Sequence, residues 1–222
     1  MNKNQELLEK ASFPKLLLNL SLPAVVIMLV MIVYNMADTY FIGQTGSPAK
    51  IAAISLCGPM FSILSGLGTL FGSGGCTAIS LALGKKETET VKRYSSFCCC
   101  AALVLGAVFL VVANLFLSPI SDLMGADAET RADAMAYLRI IALGAPFIMF
   151  NNVFANVIRA DGAARASMIA NCLGTLSNIA LDALFILGFS WDVAGAAVAS
   201  VLGNCISCFY LLFYMEYQYT LI

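Results

Sequence analysis

Apolar positions gather into six long runs, near residues 16–42, 51–83, 95–117, 134–158, 166–189 and 193–214, with short polar breaks between them. A helix rises 1.5 Å per residue, so about 20 apolar residues cross the hydrocarbon core of a bilayer. Each run reaches that length, and the second exceeds it, which predicts tilt. The pattern predicts an all-α integral membrane protein, a bundle of six transmembrane helices. The breaks carry their own signals. Pro119 is expected to end the third span, and the polar, acidic stretch 121–133 reads as a loop leading into an amphipathic start of the fourth. Residues 188–195, with Trp191 and Asp192, read as a tight turn carrying an interfacial aromatic. The first run has an apolar core too long for a signal peptide, and 34–42 offers no small-residue cleavage site, so it is expected to remain in the mature protein. Connections this short leave no room for a soluble domain.

The Lys and Arg residues set an orientation. With a cytoplasmic N-terminus, Lys3, Lys10, Lys15, Lys85, Lys86, Lys92, Arg93, Arg159 and Arg165 fall inside, against Lys50, Arg131 and Arg139 outside. The positive-inside rule therefore predicts a multi-pass protein of the cell membrane with its N-terminus in the cytoplasm. The domain plan is a cytoplasmic segment 1–15, a six-helix lobe 16–215 and a closing stretch 216–222. Composition agrees, with 60% hydrophobic and 11% charged residues against roughly 45–50% and about 25% in soluble domains. A net charge of −1 and the lack of a long basic cluster exclude a nucleic-acid partner, leaving membrane lipids as the surroundings. The chain has no histidine, so any proton chemistry falls to carboxylates. Its eight cysteines lie in the apolar runs and read as small packing residues. Cys205 and Cys208 form a C-x-x-C, but nothing completes a metal or redox site.

Two aspartates stand inside spans. A carboxylate in the hydrocarbon region costs a few kcal/mol or more, so such residues ordinarily face a cavity and mark an ion or substrate path. Asp182 lies about 24 Å along the fifth span from Ala166, and Asp38 about 27 Å along the first from Leu20. Both helices run outward, so the carboxylates come to similar depth and are expected to share one cavity. Residues four apart share a helix face, which sets Tyr34 beside Asp38 and Asn178 beside Asp182, with Asn35 a second neighbour of Asp38. Such oxygens suit sodium, and a partly desolvated carboxylate carries a proton, so both coupling ions stay open. If sodium is the ion, Asn178 and Asp182 are the residues that would hold it, and no other metal or cofactor is implied. The bland alternative makes Asp38 an interfacial residue and Asp182 a private partner of Asn178.

Asn151, Asn152 and Asn156 put three amides on the fourth span, where helix-to-helix bonding explains them as well as a substrate surface does. Asn35, Asn152 and Asn156 are the candidates for the cavity wall. The glycine-rich run 66–75 matches no nucleotide-binding spacing, and Gly68 and Gly72 instead permit close helix approach. Pro23, Pro59 and Pro146 inside spans are expected to bend or break their helices. No cysteine–base pair or metal motif supports an enzyme.

The ordered set of Leu20-Ser-Leu-Pro23, Asp38-Thr-Tyr-Phe-Ile-Gly43, Gly66-Leu-Gly-Thr-Leu-Phe-Gly72, Leu83-Gly-Lys-Lys86, Arg159-Ala-Asp-Gly162 and Asn178-Ile-Ala-Leu-Asp182 resembles the first half of a multidrug and toxic compound extrusion (MATE) transporter of the bacterial and archaeal type. The resemblance implies one six-helix lobe of a twelve-helix fold, exporting cationic or amphipathic organic compounds in exchange for protons or sodium. It implies that Asp38 and Tyr34 are the acidic and phenolic positions of the first helix, and that Asn178 and Asp182 belong to the cation site. Ser200 stands where a threonine is common, and Asn152 falls near the amide position of the fourth helix. It also implies that the chain is about half a family member, a truncated gene model or fragment, with 216–222 starting the connection to a second lobe. A self-associating half-transporter is the minor alternative. A lipid or lipid-linked saccharide flippase of the same helical plan is the competing function. Flippase cavities usually carry several cationic residues, whereas these spans hold two aspartates and almost no Lys or Arg, which favours small organic cations as cargo.

Overall fold

The most buried helix is the hub of the bundle. In the computed structural model, which describes residues 13–220, the elements are α1 (Phe13–Gly43), α2 (Pro48–Gly84), α3 (Thr88–Leu115), α4 (Leu117–Leu123), α5 (Arg131–Ala160), α6 (Ala164–Asp182) and α7 (Asp192–Thr220), with a π-helical segment, Ala183–Gly188, continuing α6. Small and apolar residues of α5, among them Ala142, Ala145, Met149 and Val153, are fully buried, and α5 packs on α2, α3 and α7. By contrast α1 leans chiefly on α6 and barely touches α2. Among the described residues six helices are long and apolar enough to cross a membrane, as the hydrophobic pattern predicts.

The boundaries have local causes. Ser47 is extended and Pro48 opens α2, at a position where a helix has no N–H bond to lose. The break expected at Pro119 falls at Phe116, whose backbone leaves helical geometry. Proline lacks an N–H and crowds the carbonyl four residues back, so the fault appears before the ring. Pro23, Pro59 and Pro146 break nothing, since α1, α2 and α5 run continuously through them. Residues 1–12, with Lys3 and Lys10 of the expected N-terminal segment, lie outside the described residues, as do Leu221 and Ile222 of the closing stretch. Helix α7 runs on to Thr220, so residues 216–220 are helical.

Between α4 and α5, Asp127 accepts bonds from the Thr130 N–H (2.9 Å), the Thr130 hydroxyl (2.8 Å) and the Glu129 N–H (3.1 Å). These bonds, the Thr130 N–H first, hold its carboxyl below the ordinary range. The folded value is depressed, so the turn gains stability above the ordinary carboxylate range and loses it as pH falls through the folded value. Protection of the amides of residues 128–131 against exchange, relative to their intrinsic rates, is expected to fall on acidification, and to be low at all pH values in Asp127→Ala.

Glycines set the helix spacing, as expected for Gly68 and Gly72. A Cβ at Gly68 would stand 2.8 Å from Asn152 Cβ, and one at Gly72 2.8 Å from Asn156 Nδ2. The tightest backbone crossing is α3 on α5, where a Cβ at Gly106 would lie 2.5 Å from Pro146 Cα. Gly106→Ala should therefore lower stability by about 1–3 kcal/mol through overpacking. Gly66→Ala has open space, and should be neutral or gain up to about 1 kcal/mol from helix propensity. Thermal unfolding in detergent compares the two.

Candidate functional site

Close approach of α6 and α7 builds the polar centre. Gly174 faces Gly203 so tightly that a Cβ on Gly203 would meet Gly174 O at 2.7 Å and Asn178 Cβ at 2.9 Å. One turn beyond that crossing the Asn178 amide donates to Ser200 Oγ at 3.3 Å. Another turn on, Asp182 is 0% exposed and Asn178 only 4%. Both carboxylate oxygens of Asp182 and the Oδ1 of Asn178 are buried with no hydrogen-bond partner. An unpaired buried carboxylate is strongly unfavourable, so the cluster calls for a proton or a cation.

Helix α1 supplies the second half. Tyr34 stands beside Ser200 and within electrostatic reach of Asp38 and Asp182. Asp38 and Asp182 also lie within each other's electrostatic reach, as the depth argument expects, although neither lines the cleft that opens beside them. From α5, Tyr137 reaches the same centre, near Tyr34, Asp38 and Asp182. Towards the end of the bundle that carries Asp192, an apolar cluster of Ile42, Ile186 and Ala196, with Phe41, Ile54 and Tyr137 packed on it, closes the site.

On the other side of Asn178 a cleft of about 150 Å³ opens between α1 and α2. Its mouth is apolar, with Ile27, Val30, Met31 and Phe61; its floor carries Asn151, Asn152, Asn171, Thr175, Asn204 and Ser207. The floor is cross-linked: Asn151 donates to Asn204 Oδ1 (3.0 Å) and Ser207 to Asn151 Oδ1 (2.8 Å). Among the described residues no Lys or Arg lines it.

Of the candidates read from sequence, Tyr34, Asn152, Asn178 and Ser200 line this cleft, while Asp38 and Asp182 sit beyond its end. Asn35 does not line it; the residue is exposed on another face of α1, because the face turned to the cleft carries Ile27, Val30, Met31 and Tyr34, and the residue next to Tyr34 is rotated about 100° away from it. Asn156 does not line it either: its amide donates to Asn152 O at 2.8 Å, and its side chain packs on Gly72. Tyr137, Asn171, Thr175, Asn204 and Ser207 were missed. For four of them a signal existed, since Asn171, Thr175, Asn178 and Asp182, and likewise Ser200, Asn204 and Ser207, repeat at the three- and four-residue spacing of one helix face. The Cys208 thiol donates to Phe147 O at 3.1 Å.

The MatE family model matches residues 23–184. The multidrug export protein MepA of Staphylococcus saprophyticus is 36% identical over 209 residues, 94% of this chain and 46% of its own length. MepA of Staphylococcus aureus strain MRSA252 is also 36% identical, with the same coverage. Among solved structures, MATE in complex with MaD3S superposes with a TM-score of 0.92 at 29% identity, over 97% of this chain and 48% of that one. MATE in the straight conformation gives 0.91 at 29% identity, over 97% and 47%. MATE in the bent conformation gives 0.88 at 29% identity, over 96% and 47%. The chain thus spans about half the length of the relatives it matches.

Proposed function

The chain belongs to the MatE family, and from that premise we propose that it forms one six-helix lobe, 16–215, of a multidrug exporter that exchanges organic cations for protons or sodium. The observation that carries this reading is the pair of orphaned Asp182 oxygens beside the orphaned Asn178 Oδ1. Together with Ser200, Tyr34 and Asp38 they form a set of hard oxygen donors without a cationic side chain among its lining, and such donors suit sodium or a proton. The cleft fits an amphipathic cation: its mouth is apolar, its floor offers amides and hydroxyls, and its charged end is acidic. A cleft without Lys or Arg gives the flippase alternative nothing to hold a phosphate. The reading assigns no chemical step to any residue.

The lobe sits in the cell membrane with its N-terminus in the cytoplasm, so that Lys50 and Asp192 face outward. Transport needs a second six-helix bundle, because alternating access is the rocking of one bundle against another around a site. The 222-residue chain alone is therefore expected to bind a cation weakly, to associate with itself or a second lobe, and to catalyse no efflux. Efflux by this polypeptide as a strict monomer in liposomes would overturn that.

Asp38 is the coupling carboxylate at the α1 edge of the site. In the complete exporter, Asp38→Asn should keep substrate binding and lose uphill export, because a permanently neutral group mimics one protonation state. Dye efflux from energised vesicles across pH tests it. Uphill export with an unchanged pH profile would reduce Asp38 to an interfacial residue.

A further inference from the structure

The helix that carries Asp182 changes its winding at the next residue. Ala183–Gly188 is π-helical, with the Phe189 N–H bonded to Leu184 O at 3.0 Å, five residues back, and the Trp191 N–H to Phe185 O at 2.9 Å. Such segments are rare, hold one residue more per turn than the α-helix, and recur at functional sites. Nothing covalent demands one here, since 183–188 contain no proline. The turn that follows is strained: Ser190 and Asp192 adopt φ of 54° and 47°, left-handed conformations that cost non-glycine residues free energy unless the surroundings enforce them. Two contacts enforce them. Lys50, in the first turn of α2, forms an ion pair with Asp192, and Trp191 stacks on Phe185 with ring centroids 5.2 Å apart. Ile186, in the middle of the π segment, joins Ile42 and Ala196 in the apolar cluster over the acidic site.

We propose that the π segment is a gate over Asp182, latched by the Lys50–Asp192 pair. Return of the extra residue to α-winding would turn the chain beyond it by roughly 100°, withdraw Ile186 from its place between α1 and α7, and open the site towards the turn that carries Trp191. Occupancy of Asp182 biases the choice, because the residue is the hinge on which the winding changes. The charged and titratable groups that face it are Asp38 and Tyr34 of α1 and Tyr137 of α5, none of them cationic, so a bound cation or proton alters the field at the hinge strongly. The inference rests on the cation-site reading and adds the route by which the ion enters.

Trp191 is the single tryptophan of the chain, and its ring lies on the gate. Purified protein in nanodiscs, with any tryptophan of a longer form replaced by phenylalanine, is mixed rapidly with sodium chloride or stepped in pH while Trp191 emission is followed. Calorimetry on the same samples records binding independently. The wild type should show a saturable emission change and Asp182→Asn none. Lys50→Met should make the change about two- to five-fold faster, the range that a partly exposed ion pair supports, and Lys50→Arg should restore the original rate. Calorimetric binding that Asp182→Asn removes, with silent Trp191 emission or an unchanged rate in Lys50→Met, would overturn the gate and leave the cation site standing. Absence of binding by both methods would overturn both.

Discussion

Asp182→Asn is expected to abolish ion-driven efflux by the exporter that contains this lobe, while leaving expression and membrane insertion intact. The substitution is nearly isosteric, so the packing around a residue that is 0% exposed is kept. What changes is the charge and donor character of the two oxygens without a partner. Loss of groups that merely orient a metal ligand costs about 10- to 100-fold in affinity, so loss of the anionic ligand itself should cost about 100-fold or more. Asn178→Ala should follow in the same direction, since it removes the other orphaned oxygen and the bond to Ser200. Efflux from energised vesicles reads both variants, and wild-type rates in Asp182→Asn would remove this residue from the coupling machinery.

Gly203→Ala is expected to be nearly as damaging, although it adds one methyl group and no charge. The new Cβ would stand 2.7 Å from Gly174 O and 2.9 Å from Asn178 Cβ. The first is backbone and cannot swing aside, so α6 and α7 must separate. Overpacking of this kind costs about 1–3 kcal/mol, and the displacement falls on the crossing that holds the Asn178 amide 3.3 Å from Ser200 Oγ. Cation affinity should fall with stability. Gly74→Ala, with open space around it, is the control in calorimetry and thermal unfolding, and equal behaviour of the two would mean that the glycine crossing does not set the site.

The bundle was legible because a membrane span announces itself by length and hydropathy, which is why all six helices fall where the apolar runs lie. Depth was legible too: a constant rise per residue carried Asp38 and Asp182 to one level, and Tyr34, Asn178 and Ser200 gather there with them. Rotation was not. Spacing shows which residues share a face, but not which face turns inward, so Asn35 was grouped with Asp38 though it points away. Asn156 looked like cavity lining, yet its amide is spent on its own helix and its side chain on Gly72. Tyr137 stands on a different helix from Tyr34, Asp38 and Asp182, and no local pattern marks it. The π segment left no sign in 183–188, because the ion pair, the aromatic stack and the apolar cluster that hold it are tertiary contacts.

The account turns on Asp182 being a carboxylate that binds the coupling ion, and infrared difference spectroscopy of its carboxyl group reads that directly. Purified wild type and Asp182→Asn in nanodiscs are stepped in pH, with and without sodium at constant ionic strength. The account predicts a carboxyl C=O band in the wild type that titrates with pH, that sodium suppresses if sodium is the coupling ion, and that is missing from Asp182→Asn. Identical difference spectra from the two proteins would contradict it.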